Sequence, residues 1–276
     1  AVVGEPPEMK RSATLVCEIG VEELPASEVS HAAEALQASL AERLATTRLT
    51  HGPIRSFATP RRVAVLVQDV APREEDHRRQ VRGPKVQTAY DANGKPTAAA
   101  AGFARAHGVD VSELERVQIN GVEHVAVTKL VEGRSAGTVL AEVLPQIITG
   151  LPAEQNMRWS APGLTYSRPI RWIVAILGDQ VVPFTVSSLT AGRTTQVHRN
   201  ADQPDLQVSR AEDYVDLLSV HGITVDAAQR RQIIADRAQA LAGSVGGKVD
   251  LDAEHRLVGE VANLVEQPTV ILGSFD

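Results

Sequence analysis

Three glutamates open the chemical reading of this sequence. Glu18, Glu22 and Glu23 lie close enough along the chain for paired-carboxylate work, in which one carboxyl gives a proton and its neighbour takes one. Glu22 and Glu23 stand just ahead of Pro25, however, and acidic residues at a helix start are accounted for by the positive end of the helix dipole. The run Gly243–Lys248 looks superficially like a phosphate loop. Ala242 stands where the first glycine belongs, Val249 replaces the metal-binding hydroxyl, and the run follows a helical pattern where a strand is required, so it reads as a helix end and turn. There is no G-x-S-x-G elbow, no H-E-x-x-H and no cysteine pair. The single Cys17 sits in an apolar run and reads as a buried, inert thiol in a reducing compartment. Eight histidines are scattered: His221 abuts a helix end, and His31, near a helix start, is expected to be exposed. The sequence predicts no complete catalytic site in this chain, and neither a metal nor a cofactor bound by it.

Charge is the stronger signal. Net charge is −6, but from Arg158 to Arg199 the bases Arg158, Arg168, Arg171, Arg193 and Arg199 face one acid, Asp179. Arg55, Arg61, Arg62, Arg78, Arg79, Arg82 and Lys85 enrich an earlier stretch, while acids dominate after Asn200. Arginine grips phosphate with a planar fork, and most of these residues adjoin turns at strand ends. One reading is a surface that tracks a nucleic-acid backbone; the other is arginine that is solvated or salt-bridged. Aromatics are only 3% of residues, which argues against stacking platforms for unpaired bases.

The elements that must position these residues follow from periodicity. Ala13 to Ile19 reads as a strand, and Val29, Ala33, Leu36, Leu40 and Leu44 mark one face of a helix with Pro25 as its first residue. Ile54 to Ala58 and Val63 to Val70 read as strands, the second covered on both faces. Residues 72–96 are polar, rich in turn formers, and expected to be mobile in part. Helices are expected over Thr97 to His107, closed by Gly108, and over Thr138 to Ile148, with a strand over His124 to Val131 between them. Trp172 to Leu177 and Val181 to Val186 form a hairpin about Gly178-Asp179. A capping box, Ser209 to Glu212, opens a helix ending at Gly222. Two more helices carry Ile234, Ala238, Leu241 and Val245, then Leu257, Val261 and Leu264, and a last strand runs from Thr269 to Leu272. The expected class is α+β: mixed sheets with packed helices, a β-α-β-β start, a hairpin-rich middle and a mainly helical C-terminal part. The expected divisions are a linker or tag remnant over 1–11, an α/β subdomain over 12–75, an Arg-rich α+β region over 76–200, and an acidic helical region over 201–276 that returns to the sheet. No run approaches a membrane span and there is no secretory signal, which predicts a soluble, cytoplasmic protein. The polypeptide reads as a piece of something longer.

Several segments, in order, resemble one family, the β subunit of bacterial glycyl-tRNA synthetase. They are Glu18-Ile19-Gly20-Val21-Glu22-Glu23-Leu24-Pro25, Phe57-Ala58-Thr59-Pro60-Arg61-Arg62, Arg82-Gly83-Pro84, Ala101-Gly102-Phe103-Ala104-Arg105 and Met157-Arg158-Trp159. Arg168-Pro169, Leu177-Gly178-Asp179, His198-Arg199 and Glu260 to Glu266 complete the set, whereas Val21, Ala26 and Val197 depart from the usual Thr, Pro and Gly. The resemblance implies domains similar to the B3/B4 region of phenylalanyl-tRNA synthetase. It also implies that adenylate chemistry belongs to a catalytic α part, separate or fused, which would use ATP, Mg²⁺ and glycine. Glycine tRNA and that α part are the partners it implies, without membrane or DNA. The implied role is tRNA binding and subunit docking, with Arg61, Arg62, Arg168, Arg171, Arg193 and Arg199 as phosphate contacts. The alternative is a scaffold that orients distal tRNA-binding domains without touching RNA. Hydrolytic editing is the least favoured, since no amino acid smaller than glycine exists to be corrected.

Overall fold

The computed structural model describes residues 4–6, 8–153, 156–159, 164–198, 200–251 and 253–274. The elements begin with β1 (Ala13–Val21), α1 (Ala26–Ala45), β2 (Ile54–Thr59) and β3 (Arg62–Val70). Next come β4 (His77–Lys85), α2 (Val86–Ala89), α3 (Ala98–His107), β5 (Glu115–Ile119), β6 (Val122–Val131) and α4 (Ala136–Gly150). Short strands follow, β7 (Met157–Arg158) and β8 (Thr165–Tyr166), and then the long β9 (Ile170–Leu177). After it come β10 (Gln180–Val181), β11 (Thr185–Val186), β12 (Leu189–Thr190), β13 (Thr194–Gln196) and β14 (Asp205–Gln207). The chain ends in helices α5 (Tyr214–Val220), α6 (Ala227–Ser244) and α7 (His255–Ala262). The fold is α+β, and the chain divides into two compact units, one of residues Ala1–Glu74 with Arg134–Asp276 and one of Glu75–Gly133.

The first unit is built on a five-stranded antiparallel sheet in the order β10-β9-β1-β3-β2. Strand alternation sorts β1 into two rows. Leu15, Cys17, Ile19 and Val21 join Val63, Val65, Val67, Ile173 and Ala175 in the core that α1 and α4 cover. Val16 joins Ala64, Trp172, Val174 and Ile176 on the other face, beneath Tyr214, Leu218 and Ile223. Both faces of the central strands are therefore buried, which is why Val63 to Val67 reads as a continuous apolar run. Helix α1 presents Val29, Leu36, Leu40 and Leu44 to the first core, with Pro25 just outside its first turn rather than in it.

The second unit is a three-stranded antiparallel sheet, β4-β6-β5, with Ala89 and Ala100 packed on Val125 from one side. Helix α3 starts at Thr97, whose side chain accepts from the Ala99 amide, and stops at Gly108 with φ +69°, where a side chain would be strained. Gly83 lies directly under the Phe103 ring, and a Cβ there would come within 2.7 Å of it.

Five expectations need correction. The polar stretch expected to be mobile in part, where the sequence places no element, contains β4, nine residues paired with β6 from His77↔Val131 to Lys85↔His124. The Ser209 capping box does not form: Arg210 precedes a 3-10 turn without a side-chain cap, and Glu212 pairs with Arg210 instead. The strand returning from β9 is only β10, because the chain turns away at Pro183 and β11 pairs with β12. Leu257 and Val261 lie on α7, but the helix ends at Ala262 before Leu264, and at 54%, 36% and 61% exposure the three face outward. Thr269 to Leu272 pairs with no strand among the described residues, so the chain does not return to the sheet there.

Candidate functional site

Several of the quoted sequence segments converge at one end of the five-stranded sheet. The Val21 amide donates to the Arg61 carbonyl at 2.8 Å, Glu22 to the Pro169 carbonyl at 2.9 Å and Leu24 to the Pro60 carbonyl at 2.7 Å. The end of β1, the β2–β3 turn and the start of β9 are thereby laced together by main-chain bonds.

Behind this rim lies a buried ionic cluster centred on Glu18, which is 0% exposed. Glu18 occupies the same row of β1 as Val16, so its carboxylate points into the second core. It accepts from Trp172 Nε1, from Tyr214 Oη and, at 2.6 Å, from Thr195 Oγ1. Arg62, also 0% exposed, approaches Glu18 at 3.6 Å and donates Nε to Glu266 Oε1 at 2.9 Å. Its remaining donors reach Thr195 Oγ1 at 3.0 Å and the Gln196 carbonyl at 2.6 Å. Thr59 Oγ1 donates to Glu266 Oε1 at 2.6 Å. Burial works against the Arg62 charge, but Glu18 and Glu266 outweigh it and hold the guanidinium above its usual pKa. Burial likewise raises Glu266 and Arg62 more than reverses it, leaving that carboxyl below its ordinary value. Burial, then Glu18, push the Tyr214 phenol well up. Every charge here is compensated and every donor aimed inward, the pattern of a cluster that fixes structure rather than one poised to move protons.

The six sequence-predicted arginines do not form one surface. Arg62 is corrected outright, since a fully buried guanidinium has no face for a phosphate. Arg61 is half-buried on the rim, donates to the Val197 carbonyl at 2.8 Å and lies 5.8 Å from the Trp172 ring centre. Arg168 and Arg171 flank Pro169 on the same rim; Arg168 reaches the Ser167 carbonyl, and Arg171 is 57% exposed and pairs with Glu22 at 2.6 Å. Arg193 is at the opposite end of β9, donating to the carbonyls of Asp179, Val208 and Ser209. Arg199 lies outside the described residues. So Arg61, Arg168 and Arg171 belong to segments of the same rim, and Arg61 lines a cleft of about 350 Å³ with Glu23, Pro60, His198 and Gln267.

Sequence reasoning missed Glu18 as a hub, and a carboxylate inside a continuous apolar strand was the signal for it. It also missed Arg230, fully buried in α6. This residue donates to the carbonyls of Ala262, Thr224, Val225 and Ala58, tying α6 to α7 and β2. Burial lowers its pKa to about 10, which still leaves it charged at neutral pH. Cys17 is buried, and burial pushes its thiol up to about 12, as an unreactive cysteine requires. Among the described residues no group of three or more His, Cys, Asp or Glu side chains is placed to hold a metal ion. No described helix is long and apolar enough to cross a membrane.

Comparison with known proteins places the chain first by class, among the aminoacyl-tRNA synthetases. The profile described as glycyl-tRNA synthetase beta subunit matches residues 15–276. A glycine–tRNA ligase beta subunit from Syntrophotalea carbinolica is 41% identical over 265 residues, covering 96% of this chain and 38% of the relative. One from Limosilactobacillus reuteri is 38% identical over 263 residues, covering 95% and 38%. A chloroplastic/mitochondrial glycine–tRNA ligase from Arabidopsis thaliana is 38% identical over 262 residues, covering 95% of this chain and 24% of that one. The chain belongs to the glycyl-tRNA synthetase β-subunit family. It spans about two-fifths of the length of the bacterial relatives it matches.

Proposed function

We propose that this chain is a tRNA-binding and subunit-docking portion of a cytoplasmic glycine–tRNA ligase. The catalytic α part carries out the ATP-dependent chemistry, and ATP and Mg²⁺ belong to that part. Glycine tRNA and the α part are its partners. The observation that carries the RNA contact is the rim, where Arg168 and Arg171 flank Pro169 beside Arg61. Such contacts track phosphates and carry little sequence information of their own. Arg168→Ala and Arg171→Ala should each weaken binding of all tRNAs alike, and each should flatten the salt dependence by about one unit. Salt-titrated tRNA binding measures this, and unchanged affinity and slope in both variants would remove the contact.

The scaffold reading is favoured by a specific observation: Arg61, Arg62, Arg171 and Arg193 all engage groups of the protein itself. It predicts that the chain captures the α part but shows no salt-sensitive tRNA affinity.

A further inference from the structure

A cavity of about 470 Å³ lies at the start of α1, lined by that helix, α6 and α7. Ala26 and Ser27 of α1 meet Arg231 of α6 and Arg256 and Glu260 of α7 there. Helix α1 runs for 20 residues without a side-chain cap, and among the described residues the Ala26 and Ser27 amides have no acceptor. Asn263, just past α7, lines the same cavity and is 8% exposed. Its amide nitrogen donates to the Ala26 carbonyl at 3.1 Å and to Ser30 Oγ at 3.2 Å, which leaves its Oδ1 buried without a partner. Since the Ala26 carbonyl can only accept, the side-chain amide cannot be turned the other way round.

Open amides at a helix start, reinforced by the dipole, favour an anion. Arg231 adds a cation that pairs with no carboxylate among the described residues, while Arg256 is already held by Glu260 at 3.1 Å. An anion alone does nothing for Asn263 Oδ1, and a buried acceptor left without a donor is costly. The ligand that completes the cavity therefore carries an anionic group beside a hydroxyl or an ammonium. An amino acid as small as glycine underfills the space, which falls among whole small-molecule sites, from about 300 Å³ upward. A ribose 3′-phosphate has both groups on neighbouring carbons, the phosphate and the 2′-hydroxyl that distinguishes RNA from DNA.

We propose that this cavity binds a ribose 3′-phosphate unit. The phosphate accepts from the Ala26 and Ser27 amides and pairs with Arg231, and the adjacent 2′-hydroxyl donates to Asn263 Oδ1. The unit belongs either to an RNA strand or to a free nucleotide. RNA as its source rests on the RNA-binding reading above; the recognition of phosphate and hydroxyl does not.

Titration of the ¹⁵N-labelled chain with adenosine 3′-monophosphate, followed by amide shifts, tests this without tRNA or the α part. Saturable shifts are expected at Ala26, Ser27 and Asn263, with a dissociation constant on the order of 1 mM. The 2′-deoxy analogue should bind severalfold more weakly, and glycine should not compete. Arg231→Ala should weaken both nucleotides, whereas Asn263→Ala should abolish the difference between them. If Asn263→Ala fails to fold, the deoxy comparison in the native chain carries the test. A short oligoadenylate that binds more tightly than the mononucleotide assigns the site to an RNA strand, and equal or weaker binding assigns it to free nucleotides. Arg168→Ala and Arg171→Ala should leave these shifts unchanged, so failure of the rim contact and failure of this site are told apart. Non-saturating shifts, equal affinity for the two sugars, competition by glycine, or unchanged affinity in Arg231→Ala would each overturn the proposal.

Discussion

At the scale of single residues, Arg62 has the largest predicted effect. Removing it strands the Glu18 and Glu266 carboxylates without their cation, and a broken buried pair costs about 3–5 kcal/mol. Arg62→Met should lower urea stability by that order, whereas an exposed arginine such as Arg256 should cost under about 0.5 kcal/mol. A second ionic site has a pH signature. Glu74 is 2% exposed and held by Arg134 at 2.9 Å, with Arg48 also in reach. The hydrogen bond from Arg134 brings its carboxyl down from 4.5 to about 2. A depressed folded-state pKa stabilises above the unfolded value, so this contribution is complete above about pH 4.5 and is lost as the pH falls towards 2. Thermal melts between pH 2 and 6 should show that acid limb, and Glu74→Gln should flatten it.

At the scale of elements, the exposed apolar residues at α7 and the buried apolar anchor of α6 make opposite predictions. Ile234 is 9% exposed, and Ile234→Ala should cost about 2–5 kcal/mol. Leu257→Ser and Leu264→Ser, at exposed positions, should stay within about 0.5 kcal/mol by chemical denaturation. The contrast marks what was legible in the sequence. Strand β1 and helices α1, α3 and α4 were readable because apolar period and caps agree with their burial. Strand β4 was not, because His-Arg-Arg-Gln-Val-Arg has no alternation and owes its form to β6. The apolar Thr269 to Leu272 failed the other way, since a run of β-formers makes a strand only where a partner lies alongside. The site was legible in part. The segments that build the rim were visible in order, and Arg168 and Arg171 stand on it as exposed or half-buried bases. Nothing local joins Glu18 to Arg62, Thr195, Tyr214 and Glu266, which meet only after the sheet and its second layer have formed. Turn-adjacent arginines were easy to overread, because a guanidinium that satisfies carbonyls at a strand end looks in sequence like one awaiting a phosphate.

At the scale of the whole molecule, the first unit is assembled from two stretches of chain that meet in a short ladder. Arg73 pairs with Ser135 as an antiparallel bridge, and the Glu74 amide donates to the Arg134 carbonyl at 2.9 Å. Removing Glu75–Gly133 and closing the gap with a two-residue Asn-Gly turn should therefore leave the first unit folded. Its far-ultraviolet spectrum and the Glu74 acid limb should persist, with stability changed by no more than about 1–2 kcal/mol from the altered connection.

That bridge also bears on ancestry. Where a chain leaves and re-enters through one rung of a ladder, a single splice into a hairpin tip is enough to add a lobe. Its length and composition can then drift without forcing the sheet to re-register. The segment between Glu75 and Gly133 is accordingly the place where descendants of one ancestor can gain, trim or exchange material while keeping the Glu18–Arg62–Glu266 interior intact.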